Sequence, residues 1–282
     1  MELLTNRQLL EHWVRETRSA GHRLGFVPTM GALHAGHRSL FLAARQTCDR
    51  VIGSIFVNPT QFGPNEDYQR YPRTLEQDQA LLEEAGCDAL FLPTVQDIYP
   101  DGHQTQIQVR DLADDLCGRC RPGHFQGVAT VVAILFNLVR PDQACFGLKD
   151  YQQFLVIRRM VRDLAMPIEV TGLPTVREAD GLAMSSRNRY LDPPARQRAL
   201  ALFRAMERAQ VAYAGGETDA ARLEELARQV LTEAGIGQID YVAVRDPDTL
   251  LPLARIEQDP VILVAARVGA ARLIDNRRLV RN

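Results

Sequence analysis

The chain is best read outward from Pro28-Thr29-Met30-Gly31-Ala32-Leu33-His34-Ala35-Gly36-His37. Before it runs Leu24-Gly25-Phe26-Val27, apolar and suited to a strand; after it, residues 39–48 carry the apolar spacing of an amphipathic helix. The reading is strand, glycine turn, helix. A helix start presents unpaired backbone N–H groups and a partial positive charge, which suits phosphate. Gly31 and Gly36 permit close backbone approach, and the i,i+3 spacing puts His34 and His37 on one face. Two imidazoles at such an end point to chemistry on a nucleotide.

The same alternation continues on both sides. A helix is expected over residues 6–20, capped by Thr5 or Asn6 and stopped by Gly21. Strands are expected at 23–28, 51–57, 89–92, 143–146 and 168–171, with helices at 39–48, 75–85, 128–139 and 150–164. Apolar strands alternating with helices predict an α/β fold, a Rossmann-like doubly wound parallel sheet, with ligands at the carboxyl ends of its strands. After Pro174 the pattern changes. A polar stretch leads to Asp192-Pro193-Pro194, which caps a helix running to about Tyr213; Gly215-Gly216 breaks it, and a helix at 218–234 precedes strands at 240–245, 261–267 and 271–275. The expected division is residues 1–176 and a smaller α+β domain, residues 177–282.

Composition bounds the function. With 282 residues, 46% of them hydrophobic, the chain can fill two cores. A formal net charge of -2 leaves no electrostatic footprint for nucleic acid or an anionic membrane, so small molecules are the expected partners. No apolar run has the length of a membrane span and residues 1–18 lack a signal pattern, which makes a cytoplasmic protein the default. The five cysteines suit a reducing compartment, and the Cys117-Gly-Arg-Cys120 pair reads as loop packing, since four zinc ligands are not in view. Of the 33 basic residues one alone is lysine, Lys149. A guanidinium does not replace a compact ammonium at every phosphate contact, so Lys149 is a candidate before any motif is consulted.

Further candidates fall at strand ends. Asn58 and Gln61 of Asn58-Pro-Thr-Gln-Phe62 offer neutral amides to hydroxyls or a carboxylate. Gly147-Leu148-Lys149-Asp150-Tyr151-Gln152-Gln153 repeats the opening logic, with Lys149 and Gln153 on one helix face. Met184-Ser185-Ser186-Arg187 has two hydroxyls and a guanidinium in a loop that can close over a leaving polyphosphate. Arg121-Pro-Gly-His124 is a lesser, substrate-facing candidate. Asp78, Glu76 and Asp150 are possible Mg2+ ligands, but magnesium takes one or two carboxylates plus phosphate oxygens, so spacing decides nothing and the metal ligands stay unknown.

Taken together, these motifs resemble the pantothenate synthetase (pantoate–β-alanine ligase) family of HxGH nucleotidylyltransferases over nearly the whole length: residues 28–37, NPTQF, YPRT at Tyr71 to Thr74, RPGHFQGV from Arg121, Gly147 to Gln153, DGLAMSSRNRYL from Asp180, and the closing ARLIDN, residues 271–276. The resemblance implies a mobile C-terminal lid domain, a homodimer, and two half-reactions. The pantoate carboxylate attacks the ATP α-phosphate and releases pyrophosphate; the β-alanine amine then attacks the pantoyl adenylate and releases AMP. It further implies that Met30, Gly31, Ala32, Leu33, His34, Ala35, Gly36 and His37 line ATP, with His37 the proton donor or phosphate stabiliser. Gly147, Leu148, Lys149, Asp150, Met184, Ser185, Ser186 and Arg187 would also contact ATP, Val176 would meet adenine through its backbone, and Gln61 and Gln153 would hold pantoate. His37, Lys149 and Arg187 are the expected catalytic residues, and Mg2+ is expected mainly on the ATP phosphates. Leu148 stands where Glu or Gln is common, and Gln77 and Leu81 depart from the acidic pattern of that helix, which leaves a protein-held metal in doubt. Two rivals remain at this level: a nucleotidylyltransferase acting on a phosphate acceptor, and a nucleotide-binding regulator without turnover. Gln61 and Gln153 argue against the first, because a phosphate acceptor calls for cations there.

Overall fold

The computed structural model describes residues 1–282 apart from positions 65, 254 and 282. The chain forms two compact units, one of Met1–Leu148 with Val156–Pro174, the other of Lys149–Leu155 with Thr175–Asn282. In the first unit the elements are β1 (Glu2–Leu4), α1 (Arg7–Ser19), β2 (Leu24–Thr29), α2 (Ala35–Thr47), β3 (Arg50–Ile55), α3 (Leu75–Glu84), β4 (Ala89–Phe91), the short α4 (Val95–Ile98) and α5 (Cys117–Cys120), α6 (His124–Val139) and β5 (Gln143–Gly147). Helix α7 (Tyr151–Asp163), whose first residues go with the second unit, leads to β6 (Glu169–Leu173). The strands form one parallel sheet in the order β1-β4-β3-β2-β5-β6.

That order sets the site. From β2 the chain lays β3 and β4 to one side and β5 and β6 to the other, so the strand order reverses between β2 and β5, which pair directly. Ligands of doubly wound sheets bind beyond the carboxyl ends at such a reversal. The residues that follow β2 are the Met30 to Leu33 turn, and β5 itself ends on Gly147.

Local chemistry explains the elements. Asn6 caps α1 by accepting the Leu9 N–H at 3.0 Å, and Gly21, at φ +73°, ends that region in a conformation that favours glycine. Helix α2 buries Leu40, Phe41 and Ala44 against the sheet. A Cβ on Gly53 would lie 2.9 Å from the Phe41 ring, so glycine in β3 makes the space this ring fills. Full burial of one such side chain contributes about 1.5–3 kcal/mol.

Several boundaries differ from expectation. Helix α2 starts at Ala35 rather than residue 39, because His34 and His37 cap it; α6 starts at His124 rather than 128, its first turn seated on the 58–61 turn; and β1, three residues long, was not anticipated. The second unit has α8 (Pro193–Ala214), α9 (Ala220–Glu233) and an antiparallel sheet of β7 (Gln238–Arg245), β8 (Val261–Val268) and β9 (Ala271–Arg278). Asp192 caps α8 as expected, accepting the Ala195 N–H at 2.7 Å with Pro at the first helical position. Ala195, Ala199, Ala205 and Ala209 form a small-residue face that lets α8 pack closely in this core. Among the described residues no helix is long and apolar enough to cross a membrane.

Candidate functional site

In the first unit the turn after β2 is built around Asp78 of α3. Its carboxylate, 2% exposed, accepts the backbone N–H of Ala32 at 2.9 Å and of Leu33 at 2.8 Å, and the Thr74 hydroxyl at 3.1 Å. The turn needs that support. Gly31 and Ala32 lie at φ +82° and +51°, and a non-glycine residue in the left-handed region costs about 1–2 kcal/mol. Thr29 completes the turn, its hydroxyl donating to Ser54 O at 2.8 Å and accepting the Gly31 N–H at 3.2 Å. A metal role for Asp78 does not fit this donor set, because both of its oxygens are committed to the protein. Glu76 is exposed and Asp150 lies against Lys149, and among the described residues no group of three or more His, Cys, Asp or Glu is arranged to hold a metal.

The two histidines cap α2 reciprocally. His34 Nδ1 accepts the Gly36 N–H at 3.2 Å and His37 Nδ1 accepts the His34 N–H at 3.3 Å, with the rings 4.2 Å apart. A nitrogen that accepts an N–H carries no proton, so both rings are neutral with the proton on Nε2. Each imidazole is thereby set as a donor through Nε2. Such a donor at a helix N-terminus adds to the positive end of the helix dipole.

Beyond β3 lies an amide cluster. Asn58, 1% exposed, donates from Nδ2 to Gln61 Oε1 at 3.0 Å and to Gly127 O at 3.2 Å, while its Oδ1 accepts from the Thr60 hydroxyl at 3.0 Å and the Tyr99 hydroxyl at 2.8 Å. Gln61 Nε2 donates to Met30 Sδ at 3.1 Å, which joins the amide motif to the histidine motif. Gly127 permits this turn to sit on α6: a Cβ there would fall 2.4 Å from Thr60 O. Arg121 and His124 brace the same turn. Arg121 makes a bidentate pair with Glu66 at 2.6 and 2.5 Å and donates to His124 Nε2 at 2.8 Å, so the His124 proton is on Nδ1, which donates to Gln61 O at 2.8 Å. Burial pushes the Glu66 carboxyl up, but the Arg121 hydrogen bonds and charge outweigh it and hold the group below its ordinary value.

In the second unit Lys149 Nζ lies 3.6 Å from Asp150 Oδ2, with its side chain 19% exposed. Gln153 follows one turn later, half-buried. Ser185 Oγ accepts the Arg187 N–H at 3.3 Å and caps a short 3-10 helix, Ser186–Tyr190, and Ser186 is buried. Met184 N donates to Val176 O at 3.0 Å. The polar stretch expected to be a mobile loop is heavily tied: Arg177 forks onto Asp275 at 2.7 and 2.9 Å, Asn188 donates to Glu178, and Arg196 pairs with Glu178 and Asp180. Sequence reasoning missed these partners, as it missed Asp78 as the support of the turn; the αL demand of Gly31-Ala32 was the available signal for the latter. Among the described residues none of the five cysteines is in a disulfide, and burial pushes the Cys87 and Cys145 thiols up to about 12. Cys87 and Cys145 are therefore inert packing groups at neutral pH.

The model of the pantoate-β-alanine ligase family matches residues 2–278. The chain belongs to the pantoate-β-alanine ligase family. Members of this family join pantoate to β-alanine with ATP through an acyl adenylate, and the chain is a ligase of this class. It is 60% identical over 278 residues to the pantothenate synthetase of Magnetococcus marinus, covering 98% of this chain and 95% of that one, and 54% identical to that of Moorella thermoacetica, covering 98% of each. Among solved ligases it is similar to the Thermus thermophilus pantothenate synthetase, with a TM-score of 0.92 at 49% identity and 99% of each chain covered. It is also similar to the Francisella tularensis pantoate-β-alanine ligase, crystallised with β-γ ATP and β-alanine, with a TM-score of 0.82 at 36% identity and 99% and 97% covered.

Proposed function

We propose that the residues described above divide the ligase reaction between them: an ATP set of Met30 to His37, Gly147 to Asp150, Val176 and Met184 to Arg187, and a pantoate set of Gln61 and Gln153. The observation that carries the reading is the α2 cap, where two neutral imidazoles are held as Nε2 donors at a helix N-terminus. Gly147 is compatible with it: a Cβ there would meet nothing within 4 Å among the described residues, so the backbone at the end of β5 is open to a ligand. Gln61, tied to Asn58 and Met30, offers a neutral, pre-oriented amide, which suits a hydroxy acid better than a phosphate.

In the first half-reaction a pantoate carboxylate oxygen forms a bond to the α-phosphorus and the bond to the bridging oxygen breaks. Charge then grows on the equatorial oxygens and on pyrophosphate. His37, as a donor, and Lys149 and Arg187, as cations, offset that charge, with Ser185 and Ser186 assisting and His34 orienting the nucleotide. In the second, the amine of β-alanine attacks the acyl carbon and AMP leaves. Residues 1–176 bind the substrates and residues 177–282 act as the lid that keeps water from the acyl adenylate. Mg2+ enters on the ATP phosphates, and no step here depends on a protein-held ion.

The test is isotope exchange. Labelled pyrophosphate is expected to enter ATP when pantoate is present and β-alanine absent. Exchange that runs equally well without pantoate, or formation of ADP, would overturn the reading.

We also propose a cytoplasmic homodimer. The sheet edge at β6 supports the dimer: this strand pairs only with β5 among the described strands, its residues from Val170 to Leu173 are half-buried, and Val161, Met166 and Ile168, together with Arg158 and Arg162, line a hollow beside it. Sedimentation equilibrium is expected to give twice the chain mass; a monomer at micromolar concentration would sink the proposal.

A further inference from the structure

Strand β9 contains an anomaly that packing does not explain. Its burial alternates as a strand should until Asp275 and Asn276, two consecutive polar residues, 3% and 8% exposed. Buried polar groups are costly without partners, so their partners show what they are for. Asp275 accepts both Arg177 Nη atoms, and the backbone N–H of Asn276 at 2.8 Å. Asn276 reaches 127 residues back along the chain, where its Nδ2 donates to the backbone carbonyl of Lys149 at 2.8 Å.

We propose that Asn276 is a positioning residue for Lys149, holding the peptide from which the single lysine projects. This rests on the role given to Lys149 above. The reason is mechanical. Lys149 sits in a one-turn 3-10 segment, Leu148–Asp150, between a strand and a helix, and among the described residues its long side chain has no rigid hold of its own beyond the 3.6 Å approach of Asp150. Such an ammonium is aimed chiefly by where its backbone stands. The Asn276 bond fixes the carbonyl of that residue, and the Tyr151 hydroxyl, donating to Pro247 O at 2.9 Å, fixes the chain two residues on. Asp275, held by Arg177, in turn orients the Asn276 peptide. The ARLIDN motif thus has a physical task at the site, through its last residue.

A double-mutant cycle on the full-length enzyme tests this, reading pantoate-dependent pyrophosphate exchange. Asn276→Ala is expected to lower the maximal rate about ten- to a hundredfold, the order expected for a displacement of about 1 Å, with little change in KM for ATP. Asn276→Asp keeps the size but cannot donate, and is expected to show the same loss; it serves if the alanine variant does not fold. In the Lys149→Ala background either change is expected to add nothing. If the losses multiply, or if Asn276→Asp and Asn276→Ala exchange normally while Lys149→Ala is slow, the positioning role is wrong and the reading of Lys149 stands. If Lys149→Ala itself exchanges normally, that reading fails, and the positioning role with it.

Discussion

Lys149→Ala is expected to lower kcat/KM for adenylate formation about 10²–10³-fold, the loss seen when one key donor to a developing charge is removed, or about 3–4 kcal/mol. The variant is expected to unfold at nearly the wild-type temperature. Among the described residues its side chain makes one ion pair, at 3.6 Å to the half-exposed Asp150, and such pairs contribute at most about 1 kcal/mol to stability. The loss should therefore fall on kcat, with KM for pantoate little altered, since Gln61 and Gln153 are untouched. Lys149→Arg separates charge from shape: a planar guanidinium keeps the charge but not the compact ammonium, and an incomplete rescue is expected. Steady-state kinetics with thermal unfolding of the same preparations decides this. A variant with wild-type kcat would remove the lysine from the mechanism.

The architecture was largely legible because its signals are local. Apolar runs such as residues 24–27 and 143–146, each followed by glycine and then a helical pattern, define strand, turn and helix within a dozen residues. Asp192-Pro193 marks a helix start for equally local reasons. What stayed hidden is of two kinds. Three residues of β1 are too few to show a period, and histidine is an uncommon cap, so the apolar spacing marks α2 only from residue 39, four residues into the helix. The remainder is long-range: Asp78 is 46 residues from Ala32, Glu66 is 55 from Arg121, and Asn276 is 127 from Lys149. A carboxylate on a helix reads as a surface charge or a metal ligand until the backbone it serves is seen. The residues proposed for the chemistry stand out in the sequence because their types are unusual in context; those that hold them in place do not, since Asp, Glu, Arg and Asn are ordinary everywhere.

Asp78→Ala is expected to be the most damaging single change in the first unit. It leaves the Ala32 and Leu33 N–H groups buried without their acceptor, at about 1–3 kcal/mol each, while the left-handed turn keeps its own cost. A destabilisation on the order of 3–5 kcal/mol follows from these contributions. Activity should fall as well, because the freed turn ends one residue before His34, and a relaxed turn misaims both imidazoles. Asp78→Asn discriminates between the two effects. Its one carbonyl oxygen can serve one N–H, but its amide then faces the other as a donor, so the fold should recover part of its stability while KM for ATP stays raised. Thr74→Val removes only the 3.1 Å hydroxyl bond to Asp78 and is expected to cost about 1 kcal/mol with near-normal kinetics. Denaturant unfolding monitored through Trp13, buried on α1 in the same unit, gives the stability, and initial rates against ATP give the alignment. Wild-type stability in Asp78→Ala would mean that the turn holds itself, and that the carboxylate is there for something other than its two N–H groups.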